Sequence, residues 1–162
     1  MTLGILILAL VTLQRLAELW LSNRNTQRLL ARGAHEVGAP HYPLIVAVHA
    51  LWLASLWWLA PARSVDGFWL ALFMLLQLAR IWVIATLGGR WTTRIIVLPG
   101  EPLVRQGPYR FVNHPNYLVV IGEIAVLPLV FGLWWIAVLF SLLNATVLSI
   151  RIREESRALR RA

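Results

Sequence analysis

Five apolar runs, separated by segments that gather most of the charge, constrain this chain more than any other feature. They are Leu3–Leu21, Pro43–Leu59, Phe68–Leu87, Leu118–Phe131 and Leu133–Ile150. All but the fourth approach the roughly 20 residues that a helix needs to cross a bilayer. In hydrocarbon every backbone N–H and C=O must find its partner inside the protein, so such runs become helices. The last two flank Gly132, and the shorter one contains Pro128, which predicts a tight helical hairpin. Hydrophobic residues make up 59% of the chain, against about 45–50% in soluble domains. The expectation is an all-α integral membrane protein with five transmembrane helices, forming one domain over residues 1–162. The first run has neither a charged stretch before it nor a small-residue cleavage site after it, so it reads as a retained span.

All fifteen basic residues are arginine, against seven acids, giving a net charge of +8. These arginines flank apolar runs, so the partner they imply is the lipid bilayer and not nucleic acid. Three follow the first run, four lie between the third and fourth, and five follow the last, whereas the remaining turns hold only Arg63 between them. The positive-inside rule then sets the N-terminus outside and the C-terminus in the cytoplasm. With no cysteine in the chain, disulfides, thiolate metal sites and thiol nucleophiles are excluded.

Charge also interrupts the apolar runs themselves. Gln14 and Glu18 stand at i,i+4 and Arg15 and Glu18 at i,i+3, so the three share a face of the first helix. Gln77 and Arg80 interrupt the third run and Glu123 the fourth. Ionisable residues at membrane depth point to function; an ion pair orienting the helix near the interface is the structural alternative. Arg80 is expected to face the protein interior.

The stretch Arg105-Gln-Gly-Pro-Tyr-Arg-Phe-Val-Asn-His-Pro-Asn-Tyr117 lies where polar chain meets apolar chain. Its prolines each remove a backbone N–H, and Pro115 pushes His114 out of the helical region. Backbone donors and acceptors are thereby kept for a ligand, among a histidine, two tyrosines, asparagines and arginines. A plain interfacial loop anchored by its tyrosines and arginines is the other reading. The second charged segment is Arg151-Ile-Arg-Glu-Glu155, where Arg151 and Glu155 share a helical face at i,i+4. His35 and His41 are too far apart for one helical face, and the glutamates show no metal-ligand spacing, so no metal is expected. Phosphate-loop, nucleophile-elbow and dinucleotide glycine motifs do not occur.

Taken together, Leu103-Val104-x-x-Gly107-Pro-Tyr109-x-x-x-x-His114-Pro-x-Tyr117, the apolar hairpin, and Arg151-Ile-x-x-Glu155-x-x-x-Leu159 resemble the isoprenylcysteine carboxyl methyltransferase family. The resemblance spans residues 88–159. It implies a membrane methyltransferase that uses S-adenosyl-L-methionine, with a cytosolic cofactor segment between helices four and five and in the preceding loop, and a lipid-facing substrate tunnel. Carried over by position, Glu101, Pro102, Leu103, Val104, Tyr109, His114, Pro115, Asn116, Tyr117 and Glu155 would surround the cofactor. Arg151 and Glu155 would be the catalytic pair, with Arg151 facing the methyl acceptor. His41 and His49, near the cytoplasmic end of helix two, are expected to shape the acceptor site.

Two departures bear on the acceptor. Asn113 stands where the family usually has arginine. Prenylcysteine enzymes also continue past the position of Leu159 through a Tyr-rich, Pro-containing tail. The segments Glu36-Val-Gly-x-x-His41-Tyr-Pro and Gly88-x-x-Trp91-Thr-Thr-Arg-Ile-Ile-Val-Leu-Pro99 are similar to a bacterial subgroup that methylates hydroxyls of long-chain alkylpyrones. The expected acceptor is therefore a lipophilic small molecule with an acidic hydroxyl or a carboxylate. Methyl transfer to such a group is an in-line displacement that needs proximity and a desolvated oxygen, and an acidic acceptor needs no dedicated general base. The alternatives are a membrane NADPH-dependent reductase of the sterol-reductase type and a non-catalytic lipid-binding membrane protein.

Overall fold

The computed structural model describes residues 2–159, so residues 160–162 of the charged C-terminal segment lie outside the described residues. Five helices form the body: α1 (Thr2–Ala31), α2 (Tyr42–Leu59), α3 (Gly67–Leu87), α4 (Pro115–Val130) and α5 (Trp134–Leu159). Four stretches are long and apolar enough to cross a membrane: Leu3–Ala31, Ala39–Leu59, Gly67–Arg90 and Trp134–Glu155. The fifth, Pro115–Val130, has 16 residues and spans only about 24 Å.

The helices alternate in direction. At one end the start of α1 meets the ends of α2 and α4: a Cβ on Gly4 would lie 3.3 Å from the Phe131 ring and 3.8 Å from the Ala60 carbonyl. There Asp66 begins α3, its carboxylate accepting from the amides of Phe68 and Trp69, while its own N–H donates to Val130 O at 2.8 Å. That arrangement satisfies orphan donors of the first turn. At the other end lie the last turns of α1, α3 and α5 and the first turns of α2 and α4. Asn25 of α1 donates there to Gly88 O and Trp91 O, just past α3.

Local chemistry explains where the helices stop. Beyond α1, Gly33 takes φ +90; its N–H reaches Leu30 O and the next N–H reaches Leu29 O. Gly132 repeats this double closure after α4, at φ +66, with bonds to Leu129 O and Pro128 O. Both are glycine caps in left-handed geometry, and the second makes the expected α4–α5 hairpin. Pro128 lies inside α4 and has no N–H for the carbonyl of Ile124, one turn back. The indole N–H of Trp52 on α2 donates to that carbonyl instead, at 3.2 Å.

Between helices in lipid there is little hydrophobic driving force, so close packing and polar contacts carry association. Gly122 on α4 shows the first: a Cβ there would lie 2.8 Å from Leu76 Cδ2 of α3. A charged cluster shows the second. Arg80 of α3 grips Glu18 of α1 through Nε (2.9 Å) and Nη2 (2.7 Å), and its Nη1 reaches Glu123 of α4 at 3.1 Å. Arg15 bridges the same two carboxylates at 2.8 Å each. Gln14 donates to Glu18 and Gln77 to Glu123. Two cations and two anions thus tie α1, α3 and α4 in the bundle interior, and Arg80 faces inward as expected.

Three expectations are corrected. Helix α1 does not stop near Leu21 but continues to Ala31, because Ser22, Asn25, Thr26 and Leu29 form a buried stripe at helical spacing. The polar blocks are not without strands: β1 (His35–Val37) and β2 (Ile95–Val97) pair antiparallel, with Glu36 opposite Ile96, and add a short ribbon to an otherwise helical fold. The connection between α4 and α5 is only residues 131–133, at the opposite end of the bundle from the loop of residues 88–114, so the expected segment between helices four and five is absent there; the start of α4 and the end of α5 lie beside that loop instead.

Candidate active site

The α3–α4 connection, residues 88–114, folds over the end of the bundle with the ribbon beside it, and a cleft of about 1050 Å³ opens beneath. Short helical turns shape its rim at Gly88–Arg90 and Gly107–Arg110. His114 adopts a non-helical backbone (φ -132, ψ 61) and Pro115 occupies the first turn of α4, where a missing N–H costs nothing. This is the proline-fixed entry into α4 that the sequence predicts. It delivers Asn116 and Tyr117 to the cleft, while the last described turns of α5 deliver Arg151 and Glu155.

These groups form one chain of contacts. The Tyr117 hydroxyl donates to Glu155 Oε2 at 2.5 Å and accepts from Arg151 Nε at 3.0 Å. The His114 ring stacks on Tyr117, centroids 5.3 Å apart and planes 18° apart, with Nδ1 3.6 Å from Glu155 Oε2. Arg151 and Glu155 were expected to meet directly, one turn apart. Among the described residues they make no ion pair; Tyr117 joins them. A phenol has one proton to donate, so giving it to Glu155 turns its lone pairs toward Arg151. The guanidinium is anchored by Nε, and its Nη groups remain for a further partner.

Of the expected cofactor residues, Glu101, Pro102, Leu103, Val104, Tyr109, His114, Asn116, Tyr117 and Glu155 all line the cleft. Pro115 is buried beside it. Glu101 is held between Arg32, just past α1, and Arg90, the latter at 3.2 Å, and Arg90 also donates to Pro102 O. Burial, and then the Glu155 carboxylate, push the Tyr109 phenol up to about 12, so it remains a proton donor at neutral pH. His41 lies outside this cleft, at a narrow gap that Arg94, Ile95 and Arg151 also border. His49 lines neither space; its Nδ1 bonds Ile45 O at 2.8 Å within α2.

Sequence reasoning gave no site role to Trp91, Arg90 and Arg94, which line the same cleft. Trp91 is almost fully buried, yet its Nε1 has no hydrogen-bond partner among the described residues, and neither has the buried Oδ1 of Asn116. Unpaired buried polar atoms are costly. Here one donor and one acceptor border the same cleft, which suits a polar ligand with complementary groups. The arginines suit a carboxylate, and Glu101 and Glu155 suit cationic groups. This donor set fits S-adenosyl-L-methionine, which carries an amino acid end, a sulfonium and an adenosine.

The comparisons follow this geometry. Residues 69–161, more than half of the chain, match the isoprenylcysteine carboxyl methyltransferase (ICMT) family. An uncharacterized protein of Bacillus subtilis (strain 168), YpbQ, is 39% identical over 95% of both chains. An uncharacterized protein of Haemophilus influenzae is 26% identical over 90% of this chain and 88% of its own. No solved structure matches the chain. With its apolar helices and with the motif residues gathered at one cleft, the chain belongs to the isoprenylcysteine carboxyl methyltransferase family, and is an O-methyltransferase-like integral membrane protein.

Proposed function

We propose that the protein is an S-adenosyl-L-methionine-dependent O-methyltransferase whose acceptor is a lipophilic molecule with an acidic hydroxyl or a carboxylate. The observation that carries this reading is the Arg151–Tyr117–Glu155 chain at the edge of a cleft that leaves Trp91 Nε1 and Asn116 Oδ1 unpaired. When bound, the cofactor would supply an electrophilic methyl group for transfer to the acceptor oxygen, with its sulfonium leaving as the neutral thioether. Arg90, Arg105 and Arg110 would hold a carboxylate, and Asn116 and Trp91 would meet the polar edge of the base or amino acid end. Tyr117 and Glu155 orient Arg151, whose free Nη donors stabilise the acceptor oxygen in its anionic form. Glu155 also offers negative charge to the sulfonium side of the site.

The same reading uses α4 as a fifth span, so that the cleft faces the cytoplasm, where the cofactor is made. Arg24 and Arg28 in the last turns of α1, Arg32 just past it, the arginines between α3 and α4, and Arg151 and Arg153 of α5 all belong to the cleft end, with Arg63 at the other; this asymmetry supports N-outside, C-inside insertion in a bacterial inner membrane. Reporter fusions after Arg63 and Gly132 should give extracytoplasmic signals, and those after Arg105 and Ala162 cytoplasmic ones. The functional test is equilibrium binding of S-adenosyl-L-methionine against NADPH in detergent, followed by mass spectrometry of lipid extracts incubated with labelled cofactor. Cofactor binding with a methylated lipid product supports the reading; NADPH binding in its place overturns it.

A further inference from the structure

Arg94 stands where two spaces meet. It borders the broad cleft and also the narrow gap formed by Tyr42 and Ile45 of α2, Val147 and Arg151 of α5, and the β1 side of the ribbon. The gap is lined by the apolar side chains of Ile45 and Val147 and by the charged groups of Glu36, Arg94, Arg151 and Glu154. Arg151 borders both spaces as well.

The setting of Arg94 is built by distant parts of the chain. Its guanidinium lies over the Tyr42 ring, 4.5 Å from the centroid. That ring is held in place because the Tyr42 hydroxyl bonds Thr93 Oγ1 at 3.0 Å and Thr93 Oγ1 bonds Ser22 of α1 at 2.7 Å. Register of the ribbon brings Glu36 alongside, 2.9 and 3.1 Å from Arg94 Nη1. Both contacts to Glu36 run through Nη1, and a guanidinium has five N–H donors on three nitrogens. Nε and Nη2 are left for another acceptor. The side chain is also 38% exposed, unlike the sealed Arg80.

We propose that Arg94 is a specificity-determining residue that contacts the anionic head of the lipid acceptor together with Arg151. The inference rests on the methyltransferase reading and names the part of the site that selects an ionised acceptor. Tyr42 supplies a fixed aromatic platform, and a cation over such a face keeps its orientation without spending its N–H donors. Glu36 neutralises Arg94 while no acceptor is bound and competes with the acceptor for it afterwards. Two forked cations at one junction favour an ionised oxygen over a neutral ether or ester of the same shape.

The test uses the full-length protein in detergent and three probes: a long-chain alkyl hydroxypyrone in its ionised form, its methyl ether, and S-adenosyl-L-methionine. Arg94→Gln should weaken hydroxypyrone binding by about tenfold or more, the worth of a hydrogen bond to a charged group. It should leave methyl ether and cofactor affinities near wild type. Glu36→Gln should tighten hydroxypyrone binding, and this variant keeps Arg94, so it decides the matter if Arg94→Gln fails to fold. Equal losses for the hydroxypyrone and its ether, or a Glu36→Gln protein with unchanged or weaker hydroxypyrone binding, would overturn the proposal. A wild-type protein that binds the hydroxypyrone but not S-adenosyl-L-methionine would instead remove the methyltransferase reading beneath it, while the charge selectivity of Arg94 would stand.

Discussion

Inside the bundle, Arg15 and Arg80 meet Glu18 and Glu123 in a cluster where each carboxylate faces both cations. At the cleft, Arg151 and Glu155 meet only through the Tyr117 hydroxyl. Residue types are shared, but the outcomes differ. Among the described residues, the inner cluster uses almost all of its donors and acceptors on itself, with the donor Arg15 Nε and the acceptor Gln77 Oε1 the exceptions among its buried atoms. At the cleft, donors and acceptors are held in place yet kept available. Self-satisfaction makes an element of stability at membrane depth, where an unpaired charge is expensive; incomplete satisfaction makes a binding site.

The largest effect should come from breaking the closed cluster. Arg80→Ala leaves Glu18 and Glu123 with one cation between them, and breaking a buried pair costs about 3–5 kcal/mol. Thermal unfolding in detergent should show this as a large fall in Tm. A fall no greater than that of an exposed arginine would mean that water reaches the cluster and that the contrast with the cleft is false.

Next in size is Tyr117→Phe, which removes the link between Arg151 and Glu155 while keeping the ring on which His114 stacks. Losing hydrogen bonds to two charged groups should lower turnover about ten- to a hundredfold, with Tm nearly unchanged. Arg151→Lys should behave similarly, since a lysine keeps the charge without the fork. A Tyr117→Phe protein that keeps its turnover but loses stability would put the chain of contacts on the structural side of the comparison. His114→Ala is expected to weaken S-adenosyl-L-methionine binding by about 1–3 kcal/mol, read by titration of the purified protein.

Each region was legible in the sequence to a different degree. Run length and hydropathy are local properties, so the spans and the α4–α5 hairpin at Gly132 could be read directly. The members of the inner cluster also stood out, because Arg15, Glu18, Gln77, Arg80 and Glu123 each interrupt an apolar run. Their pairing did not, since Arg80 finds Glu18 from 62 positions away, and only helix packing sets which faces meet. The β1–β2 ribbon escaped for a related reason. Three residues on each side are too few for an alternating pattern, and the pair closes a long loop between His35 and Val97. Arg94 was visible only as part of a motif segment, with no contact assigned to it, because Glu36 lies 58 positions away and only folding brings it and Tyr42 alongside. The continuation of α1 did leave a signal: positions 22, 25, 26 and 29 follow the helical period even though most are polar.

His41 and His49 give the smallest and sharpest comparison, because they lie about two turns apart at the start of α2 and were both expected at the acceptor site. His41 precedes α2 and borders the narrow gap with Arg94 and Arg151. His49 lies two turns deeper, half-buried, with Nδ1 engaged by Ile45 O. His41→Ala should therefore change the acceptor KM or acceptor preference while leaving cofactor affinity and Tm close to wild type. His49→Ala removes a hydrogen bond and some packing at helix depth, so a stability loss of about 0.5–1.5 kcal/mol is expected, with an unchanged acceptor KM. Kinetics with several acceptors and melting curves on both variants separate the outcomes. A changed acceptor KM for His49→Ala, without a change for His41→Ala, would move the acceptor path from the gap beside Arg94 into the bundle, toward the charged cluster.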